Sequence, residues 1–259
     1  MAPKIIDRMA DHHTYVEVFG GSGAVLMQKR RSNVEVYNDL HEDLVVFFRV
    51  LRDRPDELHA YLKKMEYSRG LHEEVADRWY RDGLRPTDSV VRASEYMFLL
   101  RSSFNCENSR TGFSAQPDMN KAMSMKRAVD NIHVFAERMR GVIIENRDWK
   151  VLVERYDTPD TFFYMDPPYL EVKEGYYGEG DGFDHRDFIE TLDELEGKWL
   201  VSYGELPEQF EKIHCYVYDE DVIWGSGVGG KAGTESMITN YNPRTTDMFN
   251  PHLNDPEDW

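Results

Sequence analysis

An α/β sandwich, with a mostly parallel sheet between helices and an antiparallel hairpin closing its C-terminal edge, is the fold class that three features of this chain predict. The first is a strand, a glycine turn and a helix in quick succession over residues 15–27. The second is an apolar run, Thr161-Phe162-Phe163-Tyr164-Met165, that stops at Asp166-Pro167-Pro168-Tyr169. The third is the stretch 57–140, whose apolar spacing stays helical or loop-like and separates two sets of strand patterns. Strands that alternate with helices pair in parallel, because a parallel neighbour is reached only through a crossover. A long helical stretch inside such an alternation reads as a subdomain inserted between two halves of one sheet.

Each element follows in order. Tyr15-Val16-Glu17-Val18-Phe19 reads as a short buried strand, followed by Gly20-Gly21-Ser22-Gly23 and the apolar Ala24-Val25-Leu26-Met27. Glycines let the backbone approach a ligand, and a helix start offers unpaired NH groups, so this is the nucleotide-binding opening of a Rossmann-like unit. The glycine spacing does not fit G-x-G-x-x-G, which argues against a pyrophosphate-bearing dinucleotide. A second strand, Val34-Glu35-Val36-Tyr37, ends at Asn38-Asp39. An acid at that tip is placed to grip a ribose diol, or to cap the helix expected from Leu40. That helix carries Leu44, Phe47, Phe48 and Leu51 on one face and breaks at Arg54-Pro55-Asp56. Strands resume over 141–145 and 161–165, then over 199–203 after an amphipathic helix at 185–195. Residues 215–218 and 237–241 form the closing hairpin, and the Pro/Asn/Asp-rich tail reads as mobile. The expected division is 1–54 with 141–242 as one domain, 55–140 as the helical insert, and 243–259 as the tail.

Composition narrows the classes. The 259 residues can bury one sizeable core, no apolar run approaches membrane-spanning length, and nothing at the N-terminus reads as a signal peptide. With Cys106 and Cys215 the only cysteines, neither a disulfide framework nor a cysteine zinc site is expected, and the histidines show no metal-ligand spacing. The chain is expected to be cytoplasmic. Its net charge of −17 is awkward for any partner carrying phosphates. Either the acids gather away from such a partner, at 53–57, 73–77, 181–196 and 219–221, or the balance reflects a high-salt host, where repulsion is screened within a few ångströms.

The Asp166 tetrapeptide suits one task well: gripping a planar amino group that must become nucleophilic. Asp166 can accept a hydrogen bond from an exocyclic NH2, and the Pro167 carbonyl can accept a second. Tyr169 can stack on the face of a base. The plain alternative is a strand followed by an ordinary Pro-Pro turn.

Together, Tyr15-Val16-Glu17-x-Phe19-Gly20-Gly21-Ser22-Gly23, Asn38-Asp39 and Asp166-Pro167-Pro168-Tyr169 resemble the Dam-like DNA N6-adenine methyltransferases, alpha group, with a DPPY motif. Further matches are Arg101-x-x-Phe104-Asn105, Ile143-Ile144-Glu145-Asn146-x-Asp148-Trp149 and Glu235-x-x-Ile238-Thr239-Asn240-Tyr241. The resemblance covers residues 10–241. It implies a Rossmann-like sheet that binds S-adenosyl-L-methionine (AdoMet), with the helical insert as target-recognition subdomain, and no metal. It implies Asp166, Pro167 and Tyr169 as catalytic residues. Around the cofactor it implies Glu17, Phe19, Gly21, Gly23, Asp39, Asp148, Trp149 and Asp166, with Asp148 contacting the AdoMet adenine amine. The implied partner is double-stranded DNA with a flipped-out adenine, and Arg101, Asn105, Arg110, Lys121, Lys126 and Arg127 are its candidate contacts. The expected assembly is a monomer or weak dimer, with a virus or mobile element as a possible source. Family members also carry an aromatic-Pro/Ala-Gly-Gly-Lys segment about twenty residues before the glycine motif. Met1 falls inside or after that position, and Lys4 lies too close to Phe19 to be its lysine.

Rival readings stay open at this point: cytosine N4 in DNA, adenine in RNA, a protein glutamine amide, or a nonmethylating DNA-binding relative. Gly225-x-x-x-x-Gly230-Lys231 nearly spells a phosphate loop, but Ala232 replaces the required Ser/Thr and a strand is expected to follow.

Overall fold

The computed structural model describes residues 1–103, 112–114, 120–168, 183–204, 206–224 and 231–243. The chain divides into two compact units, Met1–Asn38 with Arg147–Trp259, and Asp39–Asn146. Helix α3 (Glu42–Asp53) and strand β3 (Ile143–Glu145) fall in the second.

Among the described residues, six of the seven strands belong to the first unit. They are β1 (Thr14–Glu17), β2 (Val34–Asn38), β4 (Thr161–Met165), β5 (Lys198–Tyr203), β6 (Tyr216–Trp224) and β7 (Lys231–Thr239). Their order is β2-β1-β4-β5-β7-β6. Parallel pairing runs from β2 to β5, and β7 joins β5 antiparallel, with β6 antiparallel on β7. The hairpin therefore runs further toward its turn than the sequence led us to expect. Helices α1 (Ala2–Ile6), α2 (Ala24–Gln28), α9 (Trp149–Tyr156) and α10 (His185–Glu194) and a 3-10 turn at Glu208–Lys212 complete this unit among the described residues.

All five residues of β4 are buried, as its unbroken apolar run requires of a strand with neighbours on both sides. After β1 the chain passes to β2 on one side, and β4 later joins on the other. Strand order thus reverses beside β1, and it is outside the carboxyl ends of strands at such a reversal that sheets of this kind bind ligands. Strand alternation splits the sheet into two unlike faces. One carries Val16, Val36, Phe163, Met165, Trp199, Val201 and Ile238, which form the main core with α9 and α10 through Leu152, Val153, Phe188 and Leu192. By the strand registers the other carries Tyr15, Glu17, Glu35, Tyr37, Tyr164, Ser202 and Glu235.

The second unit is helical apart from β3 and an isolated bridge between Ser103 and Phe113, among the described residues. It holds α3, α4 (Pro55–Leu62), α5 (Arg69–Ala76), a π-helical turn at Asp77–Arg81, α6 (Ser89–Ser102), α7 (Lys121–Asp130) and α8 (Ile132–Met139). Pro55 does end α3, and it also opens α4 at a first-turn position, where its missing N–H costs nothing. Trp79, Tyr96, Leu99 and Val75 form the centre of a small core against Leu44 and Phe47. The Trp79 indole N–H donates to Glu95 at 2.6 Å, and Arg85 lies 4.3 Å over the Trp79 ring.

Candidate active site

Beyond β1 the chain is pinned on both sides. The Val18 N–H donates to the Tyr164 carbonyl at 3.0 Å, and the Gly20 N–H to the Asn38 carbonyl at 2.7 Å. A Cβ at Gly20 would collide with the Tyr37 ring and lie 2.8 Å from the Asn38 carbonyl, so only glycine fits. Gly21 and Gly23 adopt positive φ, 49° and 65°, which glycine reaches without strain. A Cβ built on Gly21 would meet nothing within 4 Å. The Tyr37 hydroxyl, donating to the Gly21 carbonyl at 2.6 Å, holds the turn from below. A backbone cradle with open space at Gly21 fits a small ligand held by main-chain groups.

Glu17 closes this arrangement from inside the sheet. Its carboxyl accepts from the Tyr15 hydroxyl at 2.8 Å and from the Leu26 N–H at 2.9 Å, so it caps the first turn of α2 across nine residues. That N–H, which the sequence suggested was open to a ligand, is thereby used by the protein. Glu17 is 1% exposed, and burial pushes its carboxyl up to about 8, against the opposing pull of its hydrogen bonds.

Asp166 stands at the carboxyl end of β4, half-buried, followed by a buried Pro167 and a half-buried Pro168. Its negative charge reaches several neighbours, adding to the burial that raises Glu17, Glu235, Tyr164 and Tyr203. Glu235 is 4% exposed on β7 and is pushed up to about 7 by burial first and Asp166 second. Tyr169 lies outside the described residues.

An aromatic wall flanks the turn. Phe19 meets Phe183 edge-on at 5.6 Å and Phe188 at 6.0 Å, and Trp149 meets the same two rings at 5.9 and 5.1 Å. Asp148 precedes Trp149 as the N-cap of α9, accepting from the Lys150 N–H at 2.9 Å, and it is solvent-exposed. Asn38 ties the two pieces of this unit together. Its amide donates to the Val18 and Arg147 carbonyls at 2.9 and 3.1 Å and accepts from the Arg147 N–H at 2.8 Å. The structure thus brings Glu17, Phe19, Gly21, Gly23, Trp149 and Asp166 into one unit around the ends of β1 and β4.

Asp148 and Pro167 belong to the same unit, whereas Asp39 and the expected DNA contacts belong to the second. Asp39, directly after β2, is 8% exposed and accepts from the His41 N–H at 2.8 Å, while His41 itself caps α3. Arg101 is exposed in the last turn of α6. Lys121 opens α7, whose N-cap is Asn120, and Lys126 and Arg127 are exposed on the same helix, with Lys126 3.5 Å from Asp130. Asn105 and Arg110 lie outside the described residues, as do residues 225–230 of the near phosphate-loop pattern; the strand expected after it is β7. Sequence reasoning gave no role to Tyr37, Phe183 and Phe188, and it quoted Asn38 only as part of the Asn38-Asp39 motif. Only Asn38 left a visible signal, as the polar residue ending an otherwise apolar strand.

Known proteins share this pattern. The family model described as D12 class N6 adenine-specific DNA methyltransferase matches residues 1–220. The type II methyltransferase M.MjaIII of Methanocaldococcus jannaschii is 25% identical over 223 residues, covering 77% of this chain and 76% of the relative. M1.LlaDCHI of Lactococcus lactis subsp. cremoris, also a type II methyltransferase, is 25% identical over 258 residues, covering 89% and 87%. M.CviBI of Paramecium bursaria Chlorella virus NC1A, of the same type, is 22% identical over 220 residues, covering 82% and 80%.

Proposed function

The chain belongs to the D12 class of N6 adenine-specific DNA methyltransferases, and from that premise we propose how its residues divide the work. AdoMet, the methyl donor of this family, supplies when bound an electrophilic methyl group on a sulfonium. Adenine N6 is a poor nucleophile because its lone pair is delocalised into the ring. Asp166 and the Pro167 carbonyl each accept one N6–H, hold the nitrogen partly pyramidal and stabilise the positive charge that grows on it. The observation that carries this reading is the position of Asp166-Pro167, at the end of the strand beside β1 and its glycine turn.

The same reading gives the cradle of Gly21 and Gly23 and the ring of Phe19 to the donor. Trp149 and Asp148 take its adenine end, Asp39 its ribose hydroxyls, and Glu17 keeps the turn in shape. A paired base cannot reach this pocket, so the target adenine leaves the duplex, with Tyr169 as its stacking partner. Residues 55–140 read the DNA, with Arg101, Asn105, Arg110, Lys121, Lys126 and Arg127 offering phosphate and base contacts. The type II names of the relatives support a role in restriction–modification. The protein acts as a monomer or weak dimer.

Transfer of labelled methyl from AdoMet to unmethylated DNA, over low to high salt, tests the reading. N6-methyladenine is expected from the wild type, and Asp166→Ala should lower its formation by about a hundredfold to a thousandfold, the range for removing one preorganised electrostatic group. Equal labelling by both proteins would refute the role of Asp166.

A further inference from the structure

Helix α2 is five residues long, far below the length at which a helix holds its own shape in water, so its place comes from what it is tied to. Its start matters because Gly23, the last glycine of the turn, is its N-cap, and the Gly23 N–H closes the turn onto the Gly20 carbonyl at 2.8 Å. Two carboxyls of the polar face hold this helix, one near each end. At the start, the Leu26 N–H donates to Oε2 of Glu17 at 2.9 Å. At the far end Lys29, the C-cap, donates to Glu35 at 2.6 Å and to the Ser32 hydroxyl at 2.8 Å. Tyr15 lies where the two ties meet. Its hydroxyl donates to the same Oε2 of Glu17 at 2.8 Å, and the Lys29 ammonium stands 4.4 Å over its ring. Register explains the convergence: Tyr15 is paired with Glu35, and Glu17 with Tyr37, across β1 and β2, so all four share one face. In that row the Tyr37 hydroxyl holds the Gly21 carbonyl directly, whereas Tyr15 reaches the turn through Glu17. Tyr15 itself is fully buried, its ring stacked on Phe162 at 6.3 Å.

We propose, on the reading that gives the glycine turn to AdoMet, that Tyr15 is a positioning residue for the methyl donor: its hydroxyl fixes Glu17, and through Glu17 the start of α2 and the glycines that receive AdoMet. A carboxyl on a flexible stem that accepts one hydrogen bond keeps much of its rotamer freedom. Two donors converging on one oxygen, from a strand side chain and from a helix N–H, leave it a single position. Either protonation state of Glu17 serves, since an oxygen with two lone pairs can accept both. The turn is thereby ordered before the ligand arrives, and binding does not bear that cost. A side chain with no exposed surface touches neither reacting group, so Tyr15 acts on donor binding and not on the transfer itself.

Tyr15→Phe keeps the ring beneath Lys29 and against Phe162 and removes only the hydroxyl. In the ligand-free full chain, hydrogen exchange followed by NMR should be about tenfold faster at the Leu26 amide, with the amides of β1 unchanged. AdoMet affinity, read by calorimetry, should fall about five- to tenfold, the worth of one hydrogen bond. Single-turnover methylation at saturating AdoMet should change by less than about twofold, so that the loss appears in KM and not in kcat. Glu17→Ala should weaken AdoMet at least as much, and Tyr15→Phe added to it should cost nothing further. Glu17→Gln, whose amide oxygen can still accept both donors, should recover most of what Glu17→Ala loses. Wild-type AdoMet affinity in Tyr15→Phe would overturn the proposal, as would equal losses from Tyr15→Phe with and without the Glu17 carboxyl. If Glu17→Ala fails to fold, Tyr15→Phe alone still decides, because wild-type exchange at Leu26 refutes the link. Failure of the AdoMet reading looks different: Gly21 and Gly23 amide signals that AdoMet leaves unmoved in the wild type sink the placement of the donor and the proposal with it, while Leu26 exchange in the ligand-free chain still reports the tie.

Discussion

The two faces of the central sheet are built from the same strands and do different things. On one, Val16, Phe163, Met165, Trp199 and Val201 press against α9 and α10, and the gain is water removed from apolar surface. On the other, Glu17, Glu35 and Glu235 are each 4% exposed or less, amid tyrosines and a serine. Burying a carboxyl is tolerable with hydrogen bonds, with a counter-charge, or when it keeps its proton. Tyr15 and Leu26 donate to Glu17, Lys29 pairs with Glu35 at 2.6 Å while lying 4.4 Å over the Tyr15 ring, and burial pushes Glu235 toward its neutral form. The difference teaches that stability and chemistry have been assigned to opposite sides of one layer. Those apolar residues carry nothing that titrates, whereas on the polar side burial holds Glu17 and Glu235 toward their neutral forms.

That contrast can be broken from either side. The largest effect is expected on the apolar face, where Phe163→Ala should cost about 3–5 kcal/mol in urea unfolding. Its cost should be the same at pH 5 and pH 8; a pH-dependent loss would mean the faces are not separable. On the polar face, Lys29→Met leaves the Glu35 charge buried without its cation and should cost about 3 kcal/mol, while adding Glu35→Leu should recover most of it. If the double variant is no better than the single, the pair is not the source of the loss. The smallest effect is a slope. Folded Glu17 keeps its proton up to about 8, whereas the unfolded chain releases it at about 4.5. Its stabilising contribution is therefore fully present below 4.5 and is lost as pH rises through 8, by no more than about 1.4 kcal/mol per pH unit. Glu17→Gln should flatten that decline; identical slopes in both proteins would show that the acid is not buried in its neutral form.

How much of this could be read beforehand depends on the range of the interaction. β2 and β4 were legible almost to the residue, because β-branched and aromatic runs bounded by glycine, asparagine or proline leave little choice. The glycine turn was legible for the same local reason. Helix α9 was not drawn as an element, although Asp148 taken alone reads as a turn or helix-cap aspartate, and capping α9 ahead of Trp149, Leu152 and Val153 is what it does. The hairpin was drawn short because Asp219, Glu220 and Asp221 look like loop, and it is Lys4 and Arg8, more than two hundred residues away, that let Glu220 sit in a strand. The polar face was illegible as such. Tyr15-Val16-Glu17 alternates like any half-exposed strand, and nothing local says that Leu26 and Tyr164 will close over its acidic side.

Gly20 and Tyr37 form a constraint that reaches beyond this molecule. Because any side chain at position 20 would strike the Tyr37 ring, the glycine cannot change while the ring stays. A lineage that replaced the glycine first would lose the turn, and one that first shortened the ring would lose the hydroxyl that braces Gly21. Since the Asn38 carbonyl would still stand 2.8 Å from a Cβ at position 20, changing the ring does not free the glycine, and descendants of such a fold are expected to keep the glycine even where the tyrosine changes.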